Sequence, residues 1–134
     1  MKKAYIAGPL FDDHERVYLE KITQIVESFG FNTFLPHRDA GLVTGDFTYE
    51  KKVKIFDVDM EYLKPADLVV ALLSGRDVDS GTAAEIGYAY KAGKRLIGVS
   101  ATTKSAGFKY SISTSKILTF FSYVKSPVTN PASR

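Results

Sequence analysis

Residues 68–73 read Leu-Val-Val-Ala-Leu-Leu, and residues 79–89 read Asp-Ser-Gly-Thr-Ala-Ala-Glu-Ile-Gly-Tyr-Ala. The first stretch is a short continuous apolar run, which is typical of a strand covered on both faces in a parallel sheet. The second stretch opens with residues that favour a helix N-terminus, so it predicts a helix that begins just after the strand. This strand–loop–helix unit is the centre of the predicted fold.

Strands and helices alternate on both sides of this unit. Further strands are predicted at 3–7, 31–35 and 95–99. Helices are predicted from Asp12 to Gly30, at about 48–64, and from the 79–82 segment to Gly93. The expected inward helix faces are Tyr18, Ile22, Ile25 and Phe29; Val53, Phe56, Met60 and Leu63; and Ala83, Ile86 and Tyr90. Residues 37–47 are predicted to be a loop, and 117–124 either a helix end or a fifth strand. The pattern predicts an α/β protein with an open parallel sheet of four to five strands flanked by helices.

Composition narrows the functional classes. The chain has 134 residues, 45% hydrophobic and 25% charged, which suits one globular domain, here expected at 1–125 with a flexible tail at 126–134. Because there is no cysteine, disulfide scaffolds and thiolate chemistry are excluded. His14 and His37 are the only histidines, which argues against a multi-histidine metal site and a Ser-His-Asp hydrolase. Any chemistry must use carboxylates, hydroxyls and backbone groups.

Charge and hydropathy patterning predict a cytoplasmic protein that binds neither nucleic acid polymers nor membranes. The net charge is +3, but the lysines are scattered, as on an ordinary solvated surface. The longest apolar run is far shorter than the ~20 residues of a membrane helix. Gly8-Pro9 interrupts the apolar N-terminal stretch, and Asp12-Asp13 stand where a signal-peptide cleavage site would be expected.

Candidate catalytic residues lie where the strands of such a sheet end, at 5–11, after Leu35 and at 74–85. Glu85 lies in the first turns of its helix, and Asp59 lies at the border of an apolar helix face. Two carboxylates that reach one cleft suit cleavage of a glycosidic bond, one as nucleophile and one as proton donor. Tyr5 could orient the nucleophile. Purely structural roles remain open for the same residues. Thr82 and Glu85 also match a capping box, and Asp79 or Ser80 could be the N-cap of the helix. Asp59 could be a surface carboxylate, and Tyr5 could be a core aromatic residue.

Three segments together resemble the nucleoside 2-deoxyribosyltransferase family. They read Tyr-Ile-Ala-Gly-Pro-Leu-Phe at 5–11, Asp-Met-Glu-x-Leu-x-x-Ala-Asp-Leu-Val-Val-Ala at 59–71, and Asp-Ser-Gly-Thr-Ala-Ala-Glu-Ile-Gly at 79–87. The third segment is the most specific. The resemblance covers roughly residues 3–100 and implies a flavodoxin-like parallel sheet, in agreement with the alternation of elements.

The resemblance also implies roles for individual residues. Glu85 matches the family nucleophile that attacks C1′ of deoxyribose, and Tyr5 matches the tyrosine that holds this glutamate. Asp59 matches the carboxyl group that protonates the leaving base and deprotonates the incoming one. Asp79 matches the carboxylate that accepts a hydrogen bond from the sugar 5′-hydroxyl. Because small residues let a ligand approach the backbone, Gly8, Ser80 and Gly81 are expected to contact substrate. The implied reaction transfers deoxyribose between nucleobases in nucleotide salvage, with no metal or cofactor. The implied partners are a deoxynucleoside, a nucleobase and further copies of the chain, in a dimer or a larger homo-oligomer.

Two other functions stay open. Related family members hydrolyse 2′-deoxynucleoside 5′-monophosphates, and Ser111 lies roughly where they supply a phosphate-binding serine; Ser80 could also reach a phosphate. Against this, the Asp79 carboxylate would repel a phosphate, by ~4 kcal/mol for unit charges 4 Å apart at an effective dielectric of ~20. A non-catalytic, flavodoxin-like nucleotide-binding module is a more distant alternative, which predicts that Glu85 is only a cap and that Asp59 is exposed.

Overall fold

The computed structural model describes residues 1–42, 44–73, 78–102 and 109–113, with backbone alone at 100–102 and 109–113. The elements follow in the order β1 (Lys3–Ala7), α1 (Asp13–Ser28), β2 (Asn32–Phe34), α2 (Pro36–Asp39), α3 (Tyr49–Leu63), β3 (Leu68–Leu72), α4 (Ser80–Lys91), β4 (Arg95–Thr102) and β5 (Lys109–Ser113). The predicted 117–124 element and the 126–134 tail lie outside the described residues.

Five strands form one sheet in the order β2-β1-β3-β4-β5. The first four are parallel, and β5 runs antiparallel to β4 with Ser113 opposite Gly98. This is the strand order of flavodoxin-like folds, in which ligands bind at the carboxyl ends of the strands. The predicted fold class is confirmed, with the addition that the fifth strand is an antiparallel edge strand at Lys109–Ser113.

Local sequence signals explain where the helices begin and end. The Asp12 side chain accepts a hydrogen bond from the Glu15 backbone N–H, and the Glu15 side chain accepts one from the Asp12 backbone N–H, in a capping box that starts α1. Thr48 caps α3 and Asp79 caps α4, each through a side-chain oxygen. Gly30 and Gly93, with φ of +86° and +71°, follow α1 and α4 in the left-handed conformation that a side chain disfavours. The loop prediction at 37–47 is wrong at its start, because Pro36 opens the short helix α2.

The core consists of two apolar clusters on opposite faces of the sheet. One contains Leu19 and Ile22 of α1 with Ile6 and Val70 of the sheet. The other joins the sheet to α3 and α4, through residues such as Leu63 and Ile86. All five residues of β3 are buried, as expected for a central strand. Because α3 and α4 pack on the same face, the side chains that they project toward the sheet meet there.

Several helix-face predictions are only half right. In α3, Leu63 is buried and Met60 partly so, but Val53 and Phe56 are exposed. In α4 the buried residues are Thr82, Ile86 and Ala89, whereas Ala83 and Tyr90 are exposed. In α1, Ile22 is buried, but Ile25 and Phe29 are 52% and 77% exposed. Each helix touches the sheet along part of its length, so periodicity locates the apolar face without showing how far it is covered.

Candidate active site

The phenol of Tyr5 and the carboxylate of Glu85 meet in the second cluster. Tyr5 is in the middle of β1 and fully buried, and its hydroxyl donates a 2.6 Å hydrogen bond to Glu85 Oε1. Glu85 lies on α4, whose capped N-terminus directs the second turn of the helix over β1. The Thr82–Glu85 capping-box alternative is therefore wrong: Asp79 is the N-cap, and the Glu85 side chain bonds to Tyr5.

The electrostatic environment of Glu85 opposes its ionisation. The pKa of Glu85 is raised to about 7, and desolvation by burial is the largest cause. The hydrogen bond from Tyr5 favours the carboxylate and lowers this pKa, whereas the negative charges of Asp59 and Asp79 contribute to raising it. The phenol itself stays protonated, because burial and the neighbouring carboxylates raise the pKa of Tyr5. Tyr5 is thus a permanent hydrogen-bond donor to the carboxylate.

Asp59 of α3 is the second carboxyl group of this site. It is partly buried, and desolvation raises its pKa to about 6. Its charge acts on both Tyr5 and Glu85, so α3 and α4 bring the two carboxyl groups into one electrostatic environment. The expectation that Asp59 is exposed, which follows from the binding-module alternative, is wrong, because the residue is partly buried. Neighbouring acids with raised pKa values are typical of sites that hold a proton near neutral pH.

Asp79 has a structural role at the start of α4. Its Oδ2 accepts hydrogen bonds from the backbone N–H of Thr82 at 3.0 Å and from the Thr82 hydroxyl at 3.2 Å. The N-cap alternative for Asp79 is confirmed. Both bonds end at Oδ2, so Oδ1 is the atom with which a substrate hydroxyl could pair.

The other predicted site residues lie at several separate places in the fold. Gly8 follows β1 and faces the opposite apolar cluster, where a Cβ would lie 2.7 Å from Leu19 Cδ2 and 3.1 Å from Leu72 Cβ. Ser80 and Gly81 are exposed at the first turn of α4. Ser111 lies on β5 opposite Ser100 of β4, near the carboxyl edge of the sheet, and its side chain is outside the described part. Residues 74–77 also lie outside it.

An aromatic stack beside Tyr5 escaped the sequence analysis. Phe34 at the end of β2 stacks on Tyr62 of α3, with ring centroids 3.9 Å apart and planes inclined by 4°. Phe34 also lies 5.6 Å from the Tyr5 ring. The stack connects β1, β2 and α3, and its member Tyr62 lies three residues after Asp59 in the chain. Tyr62 lies outside the apolar stripe of α3, so only its proximity to Asp59 along the helix could have indicated it.

Two structural absences apply to the described residues. No three or more Asp, Glu or His side chains there are grouped to hold a metal ion. None of the helices in this part of the chain is long and apolar enough to cross a membrane.

The fold and the site define an α/β protein of flavodoxin-like topology with two carboxyl groups and a phenol over the central strands. Residues 4–117 match the family model described as nucleoside 2-deoxyribosyltransferase. The chain therefore belongs to the nucleoside 2-deoxyribosyltransferase family, and the family resemblance seen in the sequence is confirmed. Family membership indicates an enzyme of the nucleoside deoxyribosyltransferase type.

Three solved structures are similar to this chain. A 2-deoxyribosyltransferase from Bacillus psychrosaccharolyticus is 27% identical over 78% of this chain and 77% of its own, with a TM-score of 0.66. A conserved protein from Enterococcus faecalis is 30% identical over 80% and 68%, with a TM-score of 0.67. A 2-deoxyribosyltransferase from Leishmania mexicana, 23% identical over 88% and 85% with a TM-score of 0.60, shares the fold. No curated protein sequence matches the chain.

Proposed function

We propose that the protein cleaves the N-glycosidic bond of 2′-deoxynucleosides through a covalent deoxyribosyl–Glu85 ester and transfers the sugar to a second nucleobase. The observation that carries the proposal is the Tyr5–Glu85 hydrogen bond, formed within reach of the charge of Asp59. A partly buried carboxylate with a fixed donor on one oxygen keeps its other oxygen for the reacting carbon. This arrangement suits nucleophilic attack on an anomeric centre.

In the first half-reaction, Glu85 attacks C1′ while the bond from C1′ to the base nitrogen breaks. The base leaves with a proton from Asp59, and the sugar remains as an ester on Glu85. The transition state resembles an oxocarbenium ion, which the Glu85 carboxylate stabilises electrostatically before the ester forms. A 2-deoxy sugar lacks the electron-withdrawing 2′-hydroxyl, so this cation is easier to form.

In the second half-reaction, the nitrogen of an incoming base attacks C1′ and gives its proton to Asp59. The ester bond breaks, and Glu85 leaves as a carboxylate. Because Asp59 and Glu85 both have raised pKa values, the pair holds about one proton near pH 6–7. Because the pKa of Glu85 is the higher of the two, this proton lies mainly on Glu85, and the reactive form, with Asp59 protonated and Glu85 ionised, is the minor form of the singly protonated pair.

The test is incubation with deoxyinosine, with and without free adenine, followed by product analysis. We expect formation of deoxyadenosine, with ping-pong kinetics that appear as parallel lines in double-reciprocal plots. Glu85→Ala should abolish exchange while the protein stays folded, and Glu61→Ala, at an exposed site on α3, should leave it unchanged. Exchange retained by Glu85→Ala would refute the nucleophile assignment.

Hydrolysis of deoxynucleoside 5′-monophosphates is the second candidate, because exposed Ser80 at the start of α4 could donate to a phosphate. The Asp79 carboxylate opposes it by charge repulsion. Asp79→Asn keeps a side-chain cap on α4 and removes the charge, so it should increase activity on monophosphates relative to nucleosides. Hypoxanthine release from deoxyinosine monophosphate by the wild type, with no reaction of deoxyinosine, would favour the hydrolase instead.

Site residues from a neighbouring copy are part of the proposal, because the family resemblance implies a dimer or larger assembly. Sedimentation or light scattering on the full chain tests this point. A monomer that retains full exchange activity would contradict it.

A further inference from the structure

Asp59 is an acidic residue in the middle of the face of α3 that lies toward the sheet. A helix turns by about 100° per residue, so Tyr62 lies about 60° to one side of Asp59 and Leu63 about 40° to the other, one turn further on. Leu63 is fully buried in the apolar cluster under α3 and α4, and Val58 and Met60 pack against that cluster. Because burial disfavours a charged carboxylate, the solvation of Asp59 itself favours a rotation of α3 toward water. Neighbouring contacts on α3 must therefore hold Asp59 in place.

Few contacts serve this purpose, because α3 packs on the sheet along a small part of its length. Of its 15 residues, all of which the structure describes, only Leu63 in the last turn is buried. Nearer the start of the helix, Val53 and Phe56 are exposed. Lys94 binds two backbone oxygens just beyond the last turn. Contacts at one end of a helix fix where that end lies, but they restrain rotation about the helix axis only weakly.

The Phe34–Tyr62 stack supplies a restraint on this rotation. Phe34 is buried at the end of β2, directly opposite Tyr5 in the parallel register of β1 and β2. The Tyr62 ring lies flat on the Phe34 ring, with centroids 3.9 Å apart and planes inclined by 4°. The Tyr5 ring lies 5.6 Å from the same Phe34 ring. Turning α3 would slide or lift the Tyr62 ring off its partner, so the stacked arrangement resists the turn.

We propose that the Phe34–Tyr62 stack fixes the rotation of α3 and thereby directs Asp59 toward the other groups of the site. Tyr62 is then a positioning residue. Asp59 has to reach the nitrogen of a base while Glu85 reaches C1′, so the two carboxyl groups must keep a constant separation. The stack connects α3 to the sheet beside Tyr5, and the 2.6 Å hydrogen bond from Tyr5 connects the sheet to Glu85. The role of Asp59 as proton carrier rests on the proposed function, whereas its orientation does not.

The test compares variants of Tyr62 that keep or remove the stacked ring. Because Tyr62 is 46% exposed, its replacement leaves no closed cavity, and the variants should fold. The readout is the pKa of Asp59, measured from the carbon-13 signal of its carboxyl group, which Asp59→Asn identifies. Desolvation raises this pKa from an ordinary value near 3.8 to about 6, so rotation toward water should lower it. We expect a fall of about one unit or more in Tyr62→Leu and no change in Tyr62→Phe.

The titratable groups that face Asp59 from other elements are Tyr5 on β1 and Glu85 on α4, and both remain in these variants. Leu96→Ala removes apolar contacts from the same cluster on β4, two strands from Tyr5, so it should lower stability and leave the pKa of Asp59 unchanged. Tyr62→Met also removes the ring and should repeat the fall seen in Tyr62→Leu. An unchanged pKa of Asp59 in both ringless variants, or an equal fall in Tyr62→Phe or Leu96→Ala, would overturn the proposal.

The kinetics of base exchange give a second readout. Tyr62→Leu should lower kcat by on the order of tenfold with little change in KM, because the proton carrier is displaced while the other groups of the site stay in place. Tyr62→Phe should retain the wild-type kcat. A change confined to KM in Tyr62→Leu would contradict the proposal. The titration of Asp59 does not involve catalysis, so failure of this inference is distinguishable from failure of the proposed function.

Discussion

Glu85 is held where its charged form is disfavoured, yet Tyr5 gives that form one strong hydrogen bond. Burial and the nearby carboxylates raise the pKa of Glu85, and the Tyr5 bond lowers it. The pKa values of about 7 for Glu85 and about 6 for Asp59 place the titration of the pair in the physiological range. Because such neighbouring groups titrate as a pair, kcat/KM should be bell-shaped, with apparent pKa values near these two.

Two substitutions should move the titration of Glu85 in this profile in opposite directions. Tyr5→Phe removes a bond that lowers the pKa of Glu85, so the limb near pH 7 should shift to higher pH by on the order of one unit. Asp59→Asn removes a charge that raises the pKa of Glu85, so the titration of Glu85 should shift to lower pH while the rate falls by roughly 10²–10⁴-fold. The measurement is kcat/KM for base exchange across pH 5–9.

Tyr62→Phe and Asp57→Asn are the controls for these shifts. Tyr62→Phe retains the stacked ring and lacks only a hydroxyl, and Asp57 is exposed on α3. Neither should move the titration of Glu85. A profile of Tyr5→Phe that coincides with the wild type would contradict the role of the phenol.

Gly8 was predicted to contact substrate, and its surroundings add a packing requirement. A Cβ at this position would come within 2.7 Å of buried Leu19. Gly8→Ala should therefore lower the free energy of unfolding by about 1–3 kcal/mol through overpacking. In Gly87→Ala, the new methyl group meets no described atom within 4 Å, and the helix should gain roughly 0.5–1 kcal/mol. Urea denaturation measures both, and equal effects would argue against the packing account.

At the scale of elements, Lys94 connects the ends of the two helices that carry Asp59 and Glu85. Its ammonium group, just after α4, donates to the backbone oxygens of Lys64 at 2.6 Å and Ala66 at 2.7 Å. These bonds satisfy carbonyls at the C-terminus of α3, where a positive charge also complements the helix dipole.

Lys94→Met should therefore destabilise the protein by about 1–2 kcal/mol, since both carbonyls lose a charged donor. The last turn of α3 should also lose protection from hydrogen exchange. Lys91→Met, at the exposed end of α4, removes the same charge without these bonds and should be nearly neutral. Measuring unfolding and exchange on both variants separates the two cases. A Lys91→Met loss as large as that of Lys94→Met would show a general charge effect.

At the scale of the whole molecule, the two faces of the sheet carry different groups. One face holds α3, α4 and the carboxyl groups of Asp59 and Glu85, and the other holds α1 and an apolar surface groove beside it. Holding the Glu85 carboxyl group where desolvation disfavours its charged form lowers the stability of the whole fold. Its pKa rises from an ordinary value near 4.5 to about 7, so between these pH values the native state binds more protons than the unfolded state. Unfolding free energy must then fall as pH rises through this window.

Glu85→Gln should remove this dependence and keep an acceptor for the Tyr5 hydroxyl. The variant should match the wild type at about pH 4.5 and exceed its stability by about 2–3 kcal/mol at about pH 8. Chemical denaturation at the two pH values is the measurement, with Glu61→Gln as the exposed control. An advantage of equal size at both pH values would show that ionisation of Glu85 is not its cause.

Much of this architecture could be predicted from the sequence, because its signals are local. Capping residues at Asp12, Thr48 and Asp79 set the helix starts, and the apolar run at 68–73 identified the central strand. The family motif at 79–87 pointed to the nucleoside 2-deoxyribosyltransferases. Tyr5, Asp59 and Glu85 were singled out as residue types suited to glycosidic chemistry.

Only the tertiary structure decided which alternatives apply. Whether Glu85 caps its own helix or bonds to a phenol 80 residues away depends on how α4 lies over β1, and that is set by packing between distant segments. Packing between distant segments also decides the Phe34–Tyr62 stack and the exposure of Ile25 and Phe29 on the apolar face of the first helix. Caps and periodicity are interactions between neighbours along the chain, so sequence reports them directly. Burial, pKa shifts and long-range contacts arise only once distant segments exclude water together.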